Sequence, residues 1–578
     1  MMSRLWPYLR RYWHRYLAGA VTLLLTATLA MAIPYLLKRG VDAAAAGQGR
    51  LVVGFALAVV AVAIVQAAVR TASRVLIFNA GRDVEYDLRN ALFAQLLRLP
   101  PAYYRQSPTG DVMSRLVNDV TAVRMVLGPG ILNLINTPLY YAYGLAIMCH
   151  LDVRLTALAL APYPLLLVAV KFLSRRLMEG TLRVQEGLAG LATLVQENVS
   201  GAHVVRAHAA EAAELARFRA ANEAFQASSV QLARVRGQLF PLMRLAAGTG
   251  SLVVLWYGGH LVIRQQLTVG DLVAFLGYLN LLAWPTMALG WILSVFQRGR
   301  AAMQRLEEIL ARQAEVAEPP DPIRVEKVVG EVEFRDVVFA YPGRERTPAL
   351  SHVSLHIPAH SVVAVVGRTG AGKSTLAALL PRLWDPSAGR VRLDGHDLRH
   401  WPLERLRKAV CVVPQDPFLF SATLRENIAF GAADATEDEI LRAVHLAGLE
   451  ADVERLPAGL DTLVGERGVL LSGGQKQRVT LARALLRPAP VMVLDDPLSS
   501  VDAETEHRIL GRVLPVLRGC TTILISHRIS TVRHADWIVL LERGRVVDVG
   551  RHEELLQRSR LYAALFRQQE LEEEIAAL

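Results

Sequence analysis

Six stretches without a single Asp, Glu, Lys or Arg crowd the first half of this 578-residue chain, at 16–37, 51–69, 125–151, 155–170, 245–263 and 272–297. A bilayer core is roughly 30 Å thick, so a helix needs about 20 apolar residues to cross it. Most of the six reach that length. The segment 155–170 falls short, but Lys171 can snorkel while Phe172 and Leu173 extend the span. Buried core helices are the competing reading, and six such segments in one half of a chain argue against it. A mean hydropathy of +0.29 with 20% charged residues is too apolar for a large soluble enzyme. The length allows at least two domains.

Topology follows from the arginines. Arg4, Arg10, Arg11 and Arg15 precede the first span, which predicts a cytoplasmic N-terminus. The long connections 70–124 and 171–244 are arginine-rich, hence also inside, and apolar residues recur in them at helical spacing, so the spans are expected to continue as helices into the cytoplasm. The short loops 38–50, 152–154 and 264–271 then face out. Lys38, Arg39 and Arg50 conflict mildly with that side, and Asp42 balances them in part. The basic start leads into a full-length span without a convincing cleavage site, so no cleavable signal peptide is expected. The interleaved Leu5, Trp6, Tyr8, Leu9, Tyr12 and Trp13 read as an interfacial amphipathic helix or as an extension of the first span.

A net charge of +11 and a pI of about 9.7 would suit nucleic acid. Basic cytoplasmic loops of a membrane protein give the same numbers, so no nucleic-acid partner is expected. Cys149, Cys411 and Cys520 lack metal or redox spacing and read as reduced structural thiols. The acidic end Glu570–Glu574 reads as a solvated helix or a partner contact.

The second half carries a different signal. Residues 367–375 read GRTGAGKST, the pattern G-x-x-x-x-G-K-[ST]. In such a loop backbone N–H groups cradle phosphates, Lys373 reaches the outer ones, and the Ser374 hydroxyl can ligate Mg²⁺. Val362–Val366 before it reads as a buried strand and Ser374–Leu380 after it as a helix start, the context the motif needs. About a hundred residues on come LSGGQ (471–475) and VMVLDD (491–496). Together these motifs resemble the nucleotide-binding domain of an ATP-binding-cassette (ABC) protein, and the resemblance covers the whole chain. It implies a six-helix α-helical transmembrane domain at 1–310 with two cytoplasmic coupling regions, a linker at 311–330 marked by Pro319, Pro320 and Pro322, and an α/β P-loop ABC ATPase domain with a C-terminal tail at 331–578. The strings TGDVMSRLVNDV (109–120) and QENVSGAHVVRAHAAE (196–211) resemble regions next to the coupling helices of ABC exporters.

The resemblance also assigns residues. The phosphate loop is Gly367, Arg368, Thr369, Gly370, Ala371, Gly372, Lys373, Ser374 and Thr375. Tyr341 of FAYPG matches the aromatic that stacks on adenine. Gln415 of VVPQDPFLF matches the Q-loop, which senses Mg²⁺ and the attacking water. Asp495 ends the Walker B strand Val491–Leu494, where a carboxylate holds Mg²⁺, so Ser374, Gln415 and Asp495 are the expected metal contacts. His527 of ISHRIS matches the switch histidine on the γ-phosphate, and Ser499–Asp502 the D-loop. Ser472, Gly473, Gly474 and Gln475 of the signature close over ATP held by the opposite subunit in this family. A chain with one ATPase domain must therefore dimerise. Gly465-Glu466-Arg467-Gly468 resembles the X-loop of exporters.

One position departs from the pattern. Asp496 stands where the catalytic glutamate belongs, and its carboxylate falls back by roughly one bond, about 1.5 Å, if the backbone is unchanged. A general base must lie within about 3 Å of the proton it takes, directly or through one water, and a misplacement of about 1 Å can cost on the order of a hundredfold. ATP binding should survive, because the binding residues are intact. The chain thus resembles one half of a heterodimeric ABC exporter with one weakened site, in the plasma membrane with its ATPase domain cytoplasmic, moving small amphipathic cargo with ATP and Mg²⁺. A homodimer using Asp496 as a working base, a regulatory membrane ATPase and an ATP-gated channel are the rivals. Asn133, Asn136, Thr137, Tyr140 and Tyr143 with Asn280 form a polar, aromatic stripe that suits such cargo or helix packing equally.

Overall fold

The computed structural model describes residues 2–577 apart from 433 and 527. It divides into two compact units, Met1–Leu97 with Gly110–Ala311, and Arg98–Thr109 with Arg312–Leu578.

The first unit is all helix. A short helix, Met2–Arg11, is separated from Trp13–Ala45 by a break at Tyr12, so the aromatic start is its own element and not an extension of the span. Gly49–Leu96 runs back along Trp13–Ala45 for 48 residues, roughly 70 Å at 1.5 Å per residue, more than twice a hydrocarbon core. Close approach of the pair needs Gly19: a β-carbon there would sit 2.5 Å from Ile77. Pro162–Ser200 and Glu211–Val253 form a second long pair, in which Gly180 faces Leu232 and Gly187 faces Phe225. Their far ends are joined through the short helix Ala202–Ala207, inside the string expected beside a coupling region.

Among the described residues three helices are long and apolar enough to cross a membrane: Trp13–Ala45, the helix beginning at Gly49, and Val269–Leu310. The stretch 125–151 falls largely on Ile131–Leu151, and 155–170 is divided at Ala161 between Val153–Leu160 and Pro162–Ser200. The Lys171 side chain lies outside the described residues. The stretch 245–263 ends in a π-turn, Val254–Gly258, and a last turn, Gly259–Ile263.

The loop expected at 38–50 is shorter than its charges suggest, because helix continues to Ala45. Those charges are answered at the opposite helix end. Lys38 lies 2.5 Å from Asp271, and Asp42 accepts from the Gly270 N–H at 3.0 Å. A capping box between Thr268 and Asp271 starts Val269–Leu310 at the same place. The polar stripe of Ile131–Leu151 is partly consumed by packing: Asn133 donates to the Pro129 carbonyl at 2.9 Å and Thr137 is buried, whereas Asn280 is exposed.

The second unit holds two sheets. β1 (Val332–Phe339), β2 (Leu350–Ile357), β4 (Ala388–Leu393) and β5 (His396–Asp397) make an antiparallel sheet in the order β2-β1-β4-β5. The other sheet uses β3 (Val362–Val366), β6 (Val410–Val413), β7 (Val491–Asp495), β8 (Thr521–Ile525), β9 (Trp537–Glu542) and β10 (Arg545–Gly550) in the order β10-β9-β3-β8-β7-β6, parallel except at β10. β3, β7 and β8 are almost uninterrupted apolar runs, as strands covered on both faces must be. Helices Leu424–Ile428, Glu437–Leu446, Glu450–Arg455 and Gly473–Leu486 share a separate core around Leu424, Val444 and Val479.

The linker is held against this unit: Ile323, Val325 and Val328 pack on its larger core, and the Ile323 N–H donates to His400 at 3.0 Å. Ala102, from Pro101–Gln106, joins the same core, and Arg312 lies over the Tyr103 ring at 5.1 Å. The acidic tail continues the helix Arg560–Ala577.

Candidate functional site

Register decides which residues meet. Val365 of β3 pairs with Ile525 of β8, and Ile525 pairs with Asp495 of β7, while Val413 of β6 pairs with Leu494. The loops after β3, β6, β7 and β8 therefore leave one edge of the parallel sheet, where such sheets bind ligands. They begin with Gly367, Pro414, Asp496 and Ser526. Gly367–Thr375, Gln415, and Asp495 with Asp496 are thus brought to one edge from three separate places in the sequence. His527 comes next after Ser526 and lies outside the described residues.

The phosphate loop needs its glycines. Gly370 and Gly372 have φ of +81° and +103°, and a β-carbon on Gly372 would lie 2.5 Å from the Ala349 carbonyl. Gly372 opens the helix Lys373–Leu379, whose first N–H groups and dipole favour an anion. Lys373 is only 7% exposed and donates to the loop carbonyls of Gly367 at 2.7 Å and Arg368 at 3.2 Å. Burial lowers its pKa below the usual lysine value, and the nearby carboxylates of Asp495 and Asp496 oppose that shift. A buried ammonium beside a glycine loop and two carboxylates is a donor set suited to a polyphosphate with a divalent cation. Ser374 is exposed at the helix start, Thr375 is buried, and Asp495 is 6% exposed at the end of β7.

Asp496 has a backbone constraint of its own. Its φ is +50°, its N–H donates to Ile525 at 2.8 Å, and it is 8% exposed. Asp and Asn are among the few non-glycine residues that adopt this region readily. Gln415 is exposed just past β6. Tyr341 donates to or accepts from Thr375 at 3.1 Å, and its ring sits edge-on to Phe339 and Trp384 at centroid distances of 5.0 and 5.6 Å. That attaches the aromatic expected beside adenine to the end of the phosphate loop.

The signature turn is built as a helix cap. Ser472 accepts from the Gln475 N–H at 3.3 Å, and the Gln475 side chain accepts from the Ser472 N–H at 2.8 Å. Ser472, which caps the helix Gly473–Leu486, and Gly473, its first residue, are exposed. Gly474 packs so closely on the D-loop that a β-carbon would meet the Ser500 carbonyl at 2.7 Å. In the X-loop, Gly465 and Gly468 have φ of +73° and +66° around a 3₁₀ turn, and the Arg467 side chain lies outside the described residues.

Several partners were not legible from the motifs. Gln477 donates to Ser499 at 2.7 Å and accepts from the Ser500 N–H at 2.8 Å. Asp452 receives Gln475 at 2.8 Å and Arg478 at 2.6 Å. Arg528 donates to the carbonyls of Val501 and Ser499 at 2.9 and 3.1 Å and pairs with Glu506, which is 2% exposed. The one signal in the sequence was adjacency: Gln477 lies two positions beyond LSGGQ and Arg528 is next to His527.

Two family models match the chain, the ABC transporter transmembrane region over residues 16–286 and ABC transporter over 350–499. A Bacillus subtilis protein described as a probable multidrug resistance ABC transporter ATP-binding/permease protein, YheI, is 34% identical across 99% of this chain and 98% of its own length. This chain is an ABC half-transporter of the exporter kind. The multidrug resistance-like ATP-binding protein MdlA of Escherichia coli is 34% identical over 99% of this chain and 97% of its own length. The ATP-dependent lipid A-core flippase of Syntrophus aciditrophicus is 32% identical over 100% and 95%. A solved bacterial Atm1-family ABC exporter with ATP bound superposes with a TM-score of 0.80 at 30% identity, covering 97% of this chain and 99% of that one. The half-transporter therefore joins a membrane-spanning region to an ABC ATPase domain, the module that binds ATP, generally with Mg²⁺, in an ATP-hydrolysing transporter.

Proposed function

We propose that this half-transporter works as one subunit of a heterodimeric exporter and that its own ATP site is the slow one. The observation that carries the reading is Asp496, a short carboxylate on a constrained, positive-φ backbone at the position of the catalytic base. The Asp496 N–H bond to Ile525 limits how far the backbone can advance to recover the missing methylene. A base that stops short of its water loses rate without losing the substrate.

In this reading the membrane domain is 1–310 with six spans and two coupling regions, the linker 311–330 and the ATPase domain 331–578. Tyr341 stacks on adenine, and Gly367–Thr375 hold the phosphates with Lys373 on the outer ones. Ser374, Gln415 and Asp495 hold Mg²⁺, which neutralises phosphate charge when bound. His527 contacts the γ-phosphate, and Asp496 is the weak base. Ser472, Gly473, Gly474 and Gln475 complete the site of a second, distinct half-transporter. The whole sits in the plasma membrane with the N-terminus and ATPase domain inside, and exports small amphipathic molecules, consistent with the multidrug and lipid names of its relatives. The chain resembles the B subunit of the thermophile heterodimer TmrAB, and its partner would be a second, distinct half-transporter.

The deciding experiment is ATP-dependent uptake of labelled amphipathic solutes into inside-out vesicles holding this chain with and without a candidate partner. Uptake only with the partner supports the reading. Hydrolysis without uptake favours a regulatory ATPase or a channel, and full activity of this chain alone favours a homodimer.

A further inference from the structure

A groove of about 490 Å³ lies on the membrane unit between the N-terminal helix Met2–Arg11 and the start of Trp13–Ala45. Its walls are Trp6, Leu9, Arg10, Trp13, Tyr16 and Ile131. Five of the six are apolar or aromatic, and Arg10 is the one cation among them.

The neighbouring arginines are already neutralised. Arg11 lies 3.0 Å from Asp87 and Arg15 pairs with Asp83, both carboxylates on Gly49–Leu96. Arg10 is exposed and has no carboxylate partner among the described residues. The groove thus offers a slot for hydrocarbon, tryptophans of the kind found at membrane interfaces and one guanidinium with no carboxylate partner among the described residues.

We propose that this groove binds one anionic glycerophospholipid. Its acyl chain lies along Trp6, Leu9, Trp13 and Ile131, and its phosphate pairs with Arg10. A guanidinium suits a phosphate in a forked, two-bond geometry, and a zwitterionic headgroup weakens the pairing by bringing its own ammonium. This lipid is a bound component and not the exported cargo. The proposal rests on the reading of Met2–Arg11 as a helix at the membrane interface.

Photoactivatable phosphatidylglycerol and phosphatidylcholine, with the reactive group in the acyl chain, test it on the full-length transporter in nanodiscs containing both lipids. Cross-links are mapped by mass spectrometry. Phosphatidylglycerol should label residues 6–16 about fivefold more than phosphatidylcholine, the factor one basic side chain contributes at a membrane surface. Arg10→Gln should bring the ratio near one. Arg11→Gln, whose native side chain is already paired, should leave it unchanged. Equal labelling by the two lipids in the unmutated protein, or a ratio that survives Arg10→Gln, would overturn the anionic site and leave the interfacial helix standing. No labelling of 6–16 by either lipid would reject the interfacial placement and the proposal with it.

Discussion

Lys373 is where charge, burial and function meet in one side chain. Its ammonium is held in a nearly closed loop, bonded to the carbonyls of Gly367 and Arg368. Lys373→Ala removes a charged donor, an interaction worth about 1.5–3 kcal/mol, so nucleotide affinity should fall on the order of 10- to 100-fold. Photolabelling of this subunit with an ATP analogue would register the loss, and undiminished labelling would contradict Walker A as the anchor. The same site implies a pH dependence. Burial depresses the lysine pKa, and a bound phosphate favours the charged form, so binding raises that pKa. Affinity is fully present below the depressed pKa of the free site and declines as pH rises through it, at a lower pH than an exposed lysine would allow. Titrating analogue binding toward alkaline pH should show this decline in the native chain and not in Lys373→Ala. The thiols differ, because burial pushes Cys411 up to about 11 and raises Cys520 as well, which keeps both protonated and slow to oxidise. All three cysteines are free thiols, and Cys149, within the apolar stretch 125–151, is the exposed one.

At the scale of elements, the signature turn carries a prediction with an internal control. Gly474→Leu should abolish most ATPase activity of the assembled transporter. The 2.7 Å approach to the Ser500 carbonyl means that this change also pushes on the D-loop of the same chain. Ser472→Ala separates the two effects: it costs about 1 kcal/mol of helix capping and introduces no clash. If both variants lose hydrolysis, the turn itself serves the reaction. If Ser472→Ala hydrolyses normally, the harm of Gly474→Leu lies in the D-loop. The elements involved were legible to different degrees. β3 at Val362–Val366 and the helix after it were readable, because a covered strand is a run of apolar residues and a phosphate loop leads directly into a helix. Asp495 and Asp496 were readable because β7, which they close, is another such apolar run. The Arg528–Glu506 pair was not, since a carboxylate becomes buried through a partner 22 positions away and leaves no periodic trace. The helical continuation to Ala45 was hidden too. Lys38 and Asp42 look like loop residues until Asp271 and the Gly270 N–H are placed beside them.

The whole transporter is where the consequence of one methylene becomes measurable. If Asp496 barely reaches its water, Asp496→Asn has little to remove. Asparagine also tolerates a φ of +50°, so the substitution should leave the backbone in place. Steady-state hydrolysis by the complex should then change by less than about threefold, roughly 0.65 kcal/mol in barrier. Replacing the partner's corresponding carboxylate, if it is glutamate, should instead stop turnover and trap ATP. Opposite outcomes are easy to recognise: a fall of about a hundredfold in Asp496→Asn, near 2.7 kcal/mol, would make aspartate a working base. Two equal sites in a homodimer would then be the better description. Hydrolysis by this chain expressed alone gives an independent reading, and little activity is expected without a distinct second half. The inequality has a mechanical use if it holds. ATP retained at the slow site would keep the ATPase domains partly engaged while the fast site cycles, so that a single hydrolysis event resets the transporter.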